Sequence, residues 1–132
     1  MKIVTKFQRI VLGAAGFTAF VIGGLISLSP LEFYAGYGVA IDSEPSLLSE
    51  LRGLGANLAA LGMLMIAGLF SSSLAKTSVV VAKVVFFAFP VGRMIGIMAD
   101  GMPSQSILTA LAIEIVFAVL LVVAFRRTQQ ST

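Results

Sequence analysis

Two ionisable side chains lie deep inside apolar stretches of this sequence, and they are the residues best placed to do chemistry. Arg93 falls within the apolar run of residues 78–99, and Glu114 falls within the run of residues 104–125. A charged group surrounded by lipid hydrocarbon is costly, so it is retained only with a partner or a function. These two residues therefore mark where a polar site would lie.

The positions of the two residues along their runs favour a salt bridge between them. Arg93 precedes Asp100 by seven residues, and Glu114 follows Ser104 by ten. At 1.5 Å per helical residue, they lie about 10 Å and about 15 Å from the same membrane boundary. Helical side chains tilt toward the N-terminus of their helix, which brings the two groups to a similar level. A short connection makes the two helices antiparallel neighbours, so we expect a charge-assisted pair.

A second apolar stretch adds further polar residues to this cluster. Glu50 and Asn57 are seven residues apart and share a helix face, while Arg52 points about 200° away from Glu50. We expect Arg52 to stay at the interface near Glu44 or Asp100. The predicted ligand-binding residues are Arg93, Glu114, Glu50, Asn57 and Asp100.

Two functions are compatible with such a cluster. In the first, it binds or helps to move a small polar molecule or a lipid headgroup, with Arg93 as an anion anchor and Glu114 and Glu50 as counter-charges. In the second, it is an interhelical clamp, and the protein is a non-catalytic accessory or structural subunit of a larger membrane complex. Polar contacts between membrane helices contribute about 0.6 kcal/mol on average, so a clamp needs no ligand to explain it.

The residue types that are missing argue against catalysis. The chain has no Cys and no His, which excludes thiol redox chemistry, zinc–thiolate sites, bis-imidazole haem and a Ser-His-Asp triad. An enzyme would need a carboxylate base, and no paired carboxylate motif with helical spacing occurs. We therefore expect a protein that is not an enzyme, with no catalytic residue, no cofactor and no metal.

The composition indicates what surrounds these residues. Apolar residues make up 58% of the 132 residues and charged residues only 11%, against about 25% charged in soluble domains. This predicts an all-α integral membrane protein, a single bundle over residues 1–132 with the lipid bilayer as its solvent. The expected spans are residues 10–28, 47–70, 78–99 and 104–125. The basic residues flank these spans and form no stripe, so no nucleic-acid partner is expected.

The distribution of charge predicts the orientation of the bundle. The side that holds both termini carries most of the basic residues: Lys2, Lys6, Arg9, Lys76, Lys83, Arg126 and Arg127. The opposite side carries acidic residues: Glu32, Asp42, Glu44 and Asp100. Basic residues concentrate on the cytoplasmic side of membrane proteins. We therefore expect a multi-pass protein of the cell inner membrane with both termini in the cytoplasm.

Small residues recur at helical spacing and predict close helix packing. They are Ala15, Ala19, Gly23 and Ser27 in the first span, Gly92 and Gly96 in the third, and Ala110 and Ala118 in the fourth. They would serve packing within the bundle or the interface of a homodimer or a larger complex. Pro90 removes one helical hydrogen bond beside Arg93, and a kink there would widen the bundle.

The connection of residues 29–46 is the longest segment outside the predicted spans. Its stretch of residues 31–37 mixes Phe33, Tyr34 and Tyr37 with glycine. It is compatible with an interfacial helix, a re-entrant flap or a solvated loop whose aromatic rings lie among the lipid headgroups.

Two short motifs link the chain to a known family. The stretch Glu50-Leu51-Arg52-Gly53-Leu54-Gly55 and the pair Gly92-Arg93, followed by Asp100-Gly101-Met102-Pro103-Ser104, resemble the bacterial family catalogued as domain of unknown function 4345. The resemblance covers nearly the whole chain. It implies a four-helix membrane protein with polar signatures on the second and third helices, and it implies no particular activity.

Overall fold

A computed structural model describes residues 1–126, which form five α-helices and no strands. The helices are α1 (Lys6–Leu28), α2 (Pro30–Gly36), α3 (Pro45–Ala67), α4 (Ala75–Asp100) and α5 (Gln105–Phe125). All of these except the short α2 are long and apolar enough to cross a membrane. The prediction of an all-α, multi-pass bundle with four spans is confirmed. Arg127, one of the basic residues used to predict the orientation, lies outside the described residues.

The first two long helices begin at side-chain caps that the sequence encodes locally. Thr5 and Gln8 form a reciprocal capping box at the start of α1. At the start of α3, the Glu44 carboxylate accepts hydrogen bonds from the amides of Ser46 and Leu47, each at 3.0 Å. These two bonds hold the pKa of Glu44 below its usual value, because they favour the charged carboxylate.

The turn between α4 and α5 depends on Gly101 and Ser104. Gly101 has a backbone φ of +96°, a conformation that residues with a side chain rarely adopt, and it ends α4 directly after Asp100. Ser104 caps α5: its Oγ accepts a hydrogen bond from the Ile107 amide at 3.4 Å. The same hydroxyl donates to the Tyr37 carbonyl at 2.7 Å. This second bond ties the end of α2 to the start of α5.

Helices α1 and α3 form the tightest contact of the bundle, and glycines make it possible. A Cβ placed on Gly62 would lie 2.6 Å from the Gly16 carbonyl oxygen, and one on Gly55 would lie 2.7 Å from the Gly23 carbonyl oxygen. Of the small residues predicted on the first span, Gly23 and Ser27 lie in this contact, and Ala15 and Ala19 are buried in the apolar core. These small residues therefore serve packing within the molecule.

The apolar core lies in the half of the bundle that carries the termini. Its largest fully buried side chains include Leu12, Met65, Leu121 and Phe125. At this end the Gln8 side-chain amide donates to the Ala124 carbonyl oxygen at 2.9 Å, which places the start of α1 beside the end of α5. We call this the termini end and the opposite one the α2 end.

Helices α3 and α4 are close together only near the turn that joins them. There the Ser78 hydroxyl fills the space that a Cβ of Gly68 would occupy. Toward the α2 end, a Cβ on either Gly92 or Gly96 of α4 would meet no atom within 4 Å. The two helices thus touch at the termini end and leave a cleft between them at the α2 end.

Candidate functional site

The predicted salt bridge is present and joins α4 to α5. Arg93 Nε donates to both carboxylate oxygens of Glu114, at 3.0 and 2.8 Å, and Arg93 Nη2 donates to Oε1 at 2.6 Å. It is the one ion pair among residues 1–126. The side chains are 25% and 12% exposed, so water screens them weakly. The guanidinium also lies 5.6 Å from the centre of the Phe89 ring, a favourable cation–π distance.

A small cavity lies on the inner side of this salt bridge. It has a volume of about 200 Å³ and is lined by residues of all five helices. Its polar lining consists of Thr18, Tyr34, Tyr37, Arg93 and Glu114. Glu114 therefore faces the interior of the bundle.

A larger cavity occupies the cleft between α3 and α4. It has a volume of about 880 Å³, and its lining is mainly apolar and aliphatic. The polar side chains that line it are Tyr34, Asn57, Arg93 and Asp100. Arg93 and Tyr34 line both cavities, so they lie at the boundary between them. An apolar cleft with a few convergent polar groups is the usual form of a small-molecule site.

Arg93 keeps hydrogen-bonding capacity although it is paired. A guanidinium has five N–H groups, and the bonds to Glu114 use the Nε–H and one N–H of Nη2. Within the described chain, both N–H groups of Nη1 and the second of Nη2 have no partner. These groups can donate to the oxygen atoms of a ligand.

Tyr34 belongs to the site, and it was not among the predicted site residues. Burial raises the pKa of its phenol, against the opposing effect of the Arg93 guanidinium, so the hydroxyl stays protonated and can donate. Helix α2 positions it, with the Phe33 ring packed against Tyr34 at 5.2 Å and against Tyr37 at 4.9 Å. Of the alternatives for this connection, the short helix is correct. Its aromatic rings line the cavities, which the headgroup interpretation did not predict. The signal in the sequence that could have indicated Tyr34 is the group of aromatic residues in this connection.

The structure brings four of the five predicted site residues to the cavities. Arg93, Asn57 and Asp100 line the larger one, and Glu114 lines the smaller one. Glu50 is different: it is exposed on α3 and lines neither cavity. The structure does not bring Glu50 to the cluster: it lies on the same face of α3 as Leu54 and Asn57 but closer to the start of the helix, beyond the residues that line the cavities.

Arg52 also differs from its predicted environment. Its Nη1 donates to the carbonyl oxygens of Ser27 and Leu28, at 2.7 and 3.0 Å. These are carbonyls at the last turn of α1, which have no partner within their own helix. Arg52 therefore caps α1 and does not pair with Glu44 or Asp100.

The predicted packing role of Gly92 and Gly96 is not seen among residues 1–126. Both glycines line the larger cavity, and neither has a neighbour at the position of a missing Cβ. They keep the wall of α4 flat where the cleft is widest.

One family matches this chain. The family model described as a domain of unknown function, DUF4345, matches residues 7–125. No curated protein and no solved structure shows significant similarity to this chain. The match includes all four long helices, and with them the two helices that the Arg93–Glu114 salt bridge joins. The chain therefore belongs to the DUF4345 family.

Proposed function

We propose that this protein is a non-catalytic membrane protein that binds a small polar molecule or a lipid headgroup at Arg93. The observation that carries the proposal is the position of Arg93. Glu114 holds its guanidinium in a fixed orientation, yet three N–H groups remain free at the boundary of a cavity of about 880 Å³. A pre-oriented donor in a mainly apolar cleft favours a ligand with acceptor oxygen atoms.

We further propose that the protein lies in the cell inner membrane with both termini in the cytoplasm. The basic residues at the termini end support this orientation, because basic residues concentrate on the cytoplasmic side of membrane proteins. The part of the larger cavity that holds Arg93 would then lie in the outer half of the membrane, where a ligand could reach it from the outer leaflet.

The rival function is an accessory or structural subunit, with the cluster as a clamp. The three hydrogen bonds between Arg93 and Glu114 favour it, because they satisfy the carboxylate without any ligand. The two functions differ in what occupies the cleft. A binding protein keeps a small molecule at Arg93, whereas a clamp leaves Arg93 without one.

Native mass spectrometry of the protein purified in a mild detergent tests the proposal. The wild type should carry a retained small mass, and Arg93→Gln should lose it because the shorter, uncharged amide does not place the guanidinium N–H groups at the cleft. Arg52→Gln is the matched control: it removes a guanidinium from α3 that lines neither cavity, so the mass should stay.

A second variant distinguishes loss of the ligand from loss of folding. Arg93→Gln combined with Glu114→Gln leaves two amides that can bond each other, so no buried charge is unpaired. The double variant should also lose the mass while its helical circular dichroism is unchanged. A mass retained equally by all variants, or a stable larger assembly without any small mass, would contradict the proposal and favour the accessory subunit.

A further inference from the structure

The charges around the cavities restrict the kind of ligand that Arg93 can hold. The charged groups lining the two cavities are one cation, Arg93, and two carboxylates, Glu114 and Asp100. Glu114 already neutralises Arg93 through three hydrogen bonds. A site for an anion needs positive charge that is not balanced, and this lining has none left. It does have hydrogen-bond donors, which suit neutral acceptors such as carbonyl oxygens.

The depth of Arg93 leads to the same conclusion. The residue lies seven positions before the end of α4 at Asp100, or about 10 Å from that end at 1.5 Å per residue. Its guanidinium leans farther from that end, as its contact with the Phe89 ring shows. An ionised headgroup drawn to this depth would lose most of its hydration, whereas a neutral polar group loses much less.

The shape of the cleft indicates where the rest of the ligand lies. Its lining on α4 extends from Val84 to Asp100, about 24 Å along the helix, which exceeds half of the roughly 30 Å hydrocarbon thickness of a bilayer. At its edges Leu54 is 64% exposed and Val84 is 61% exposed, so the cleft opens sideways between α3 and α4. Because a lateral opening faces lipid, the occupant comes from the bilayer and carries a hydrocarbon chain.

We infer that the ligand is an uncharged amphiphile of the membrane, with carbonyl or hydroxyl oxygens bound by Arg93 and Tyr34 and a hydrocarbon chain in the α3–α4 cleft. This rests on the proposed function and specifies its ligand class. Gly92 and Gly96 determine access, because they leave the α4 wall open where any side chain would narrow the cleft. Glu114 determines charge preference, because it cancels the cation that would otherwise attract an anion.

Three probes with the same chain length test the ligand class on the purified full-length protein in an amphipol, a polymer that replaces the detergent and so leaves no other uncharged amphiphile with hydroxyl groups to compete for the site. They are monododecanoylglycerol (neutral, with acceptor oxygens), dodecyl phosphate (anionic) and dodecane (no acceptor). The wild type should bind monododecanoylglycerol at least about tenfold more tightly than either of the others, a difference readily measured by titration calorimetry. Glu114→Gln leaves Arg93 unbalanced and should reverse the preference in favour of dodecyl phosphate.

A matched pair of glycine variants tests whether the ligand occupies the α3–α4 cleft. Gly92→Leu places a side chain in the cleft and should weaken binding of monododecanoylglycerol by about tenfold or more. Gly53→Leu adds the same side chain to α3, where a Cβ also meets no atom but no cavity is lined, and it should bind as the wild type does. Because neither substitution meets a neighbour at Cβ, both variants should fold.

Each contrary result has a distinct meaning. If the wild type prefers dodecyl phosphate, the ligand class is wrong while binding at Arg93 stands. If dodecane binds as tightly as monododecanoylglycerol, or if no probe binds, the inferred ligand class is wrong. This holds whether or not Arg93→Gln loses the retained mass in native mass spectrometry, so the proposed function is judged separately. Equal affinities for Gly92→Leu and Gly53→Leu would overturn the cleft as the binding route.

Discussion

At the scale of single residues, the Arg93–Glu114 pair explains why two charges persist inside apolar helices. Each group satisfies the other, and the pair as a whole is neutral, so the bilayer does not have to solvate an isolated ion. The same arrangement leaves donors on Arg93 for a ligand. A clamp between α4 and α5 and a binding site are therefore compatible roles for one pair, and the stability of the pair is a separate question from its ligand.

The energetic coupling of the pair can be measured by a double-mutant cycle. Arg93→Ala and Glu114→Ala should each lower the free energy of unfolding, because each leaves a poorly hydrated charge without its partner. The double variant should cost less than the sum of the two by about 1–2 kcal/mol. Unfolding in mixed micelles with increasing denaturing detergent provides the measurement.

Lys83→Ala combined with Glu114→Ala is the control cycle for this coupling. Lys83 is on the same helix as Arg93, ten residues away, or about 15 Å along the axis. The losses of unfolding free energy caused by Lys83→Ala and by Glu114→Ala should add to within about 0.5 kcal/mol in the double variant. Additive losses in the Arg93 cycle as well would show that the salt bridge in the structure contributes no net stability.

At the scale of helices, the bundle consists of one tight contact and one open cleft. Helix α3 packs closely on α1 through Gly55 and Gly62, and it separates from α4 at the α2 end. The packed core lies at the termini end, where α1, α4 and α5 also meet. The cavities exist because the α2 end lacks such a core, and the short α2 covers part of it with aromatic side chains.

Two glycines two positions apart on α3 should respond to alanine with opposite signs. At Gly55 a Cβ would lie 2.7 Å from the Gly23 carbonyl oxygen, so Gly55→Ala should push α1 away and cost roughly 1–3 kcal/mol. At Gly53 a Cβ meets nothing within 4 Å, and Gly53→Ala should stabilise the helix by up to about 1 kcal/mol. Thermal unfolding followed by circular dichroism in detergent compares them. If both changes stabilised the protein, the close α1–α3 contact would be wrong.

Sequence patterns predicted the helices well and their neighbours less well. Hydrophobic length located the four spans to within four residues at every end. The pairing of Arg93 with Glu114 was also predictable, because depth and helix direction follow from residue counts. What could not be predicted is which helices separate. A pair such as Gly92 and Gly96 is compatible with a packed seam or an open wall, and only the three-dimensional arrangement distinguishes them.

The same limit explains the errors at Glu50 and Arg52. A shared helix face relates Glu50 to Asn57 but does not say which neighbour that face meets, and Glu50 is exposed on the surface of the bundle. Arg52 was expected at the interface near Glu44 or Asp100, and its hydrogen-bond partners are backbone carbonyls at the end of α1. Those acceptors occur at every helix end and have no side-chain signature, so a sequence pattern could not reveal them.

At the scale of the whole molecule, the orientation in the membrane decides which leaflet supplies a ligand. The chain has no cysteine, so single cysteines can report orientation without any background. Asp42→Cys lies between α2 and α3, and Ser72→Cys lies in the turn between α3 and α4; both positions are exposed. A membrane-impermeant maleimide should label Asp42→Cys in intact spheroplasts and Ser72→Cys only after lysis, because the basic residues keep the termini end in the cytoplasm. The reverse labelling would place the cleft in the inner leaflet, and partial labelling of both would indicate insertion in two orientations. Neither result would change the salt bridge or the cleft, but the reverse labelling would require a ligand supplied from the cytoplasmic side.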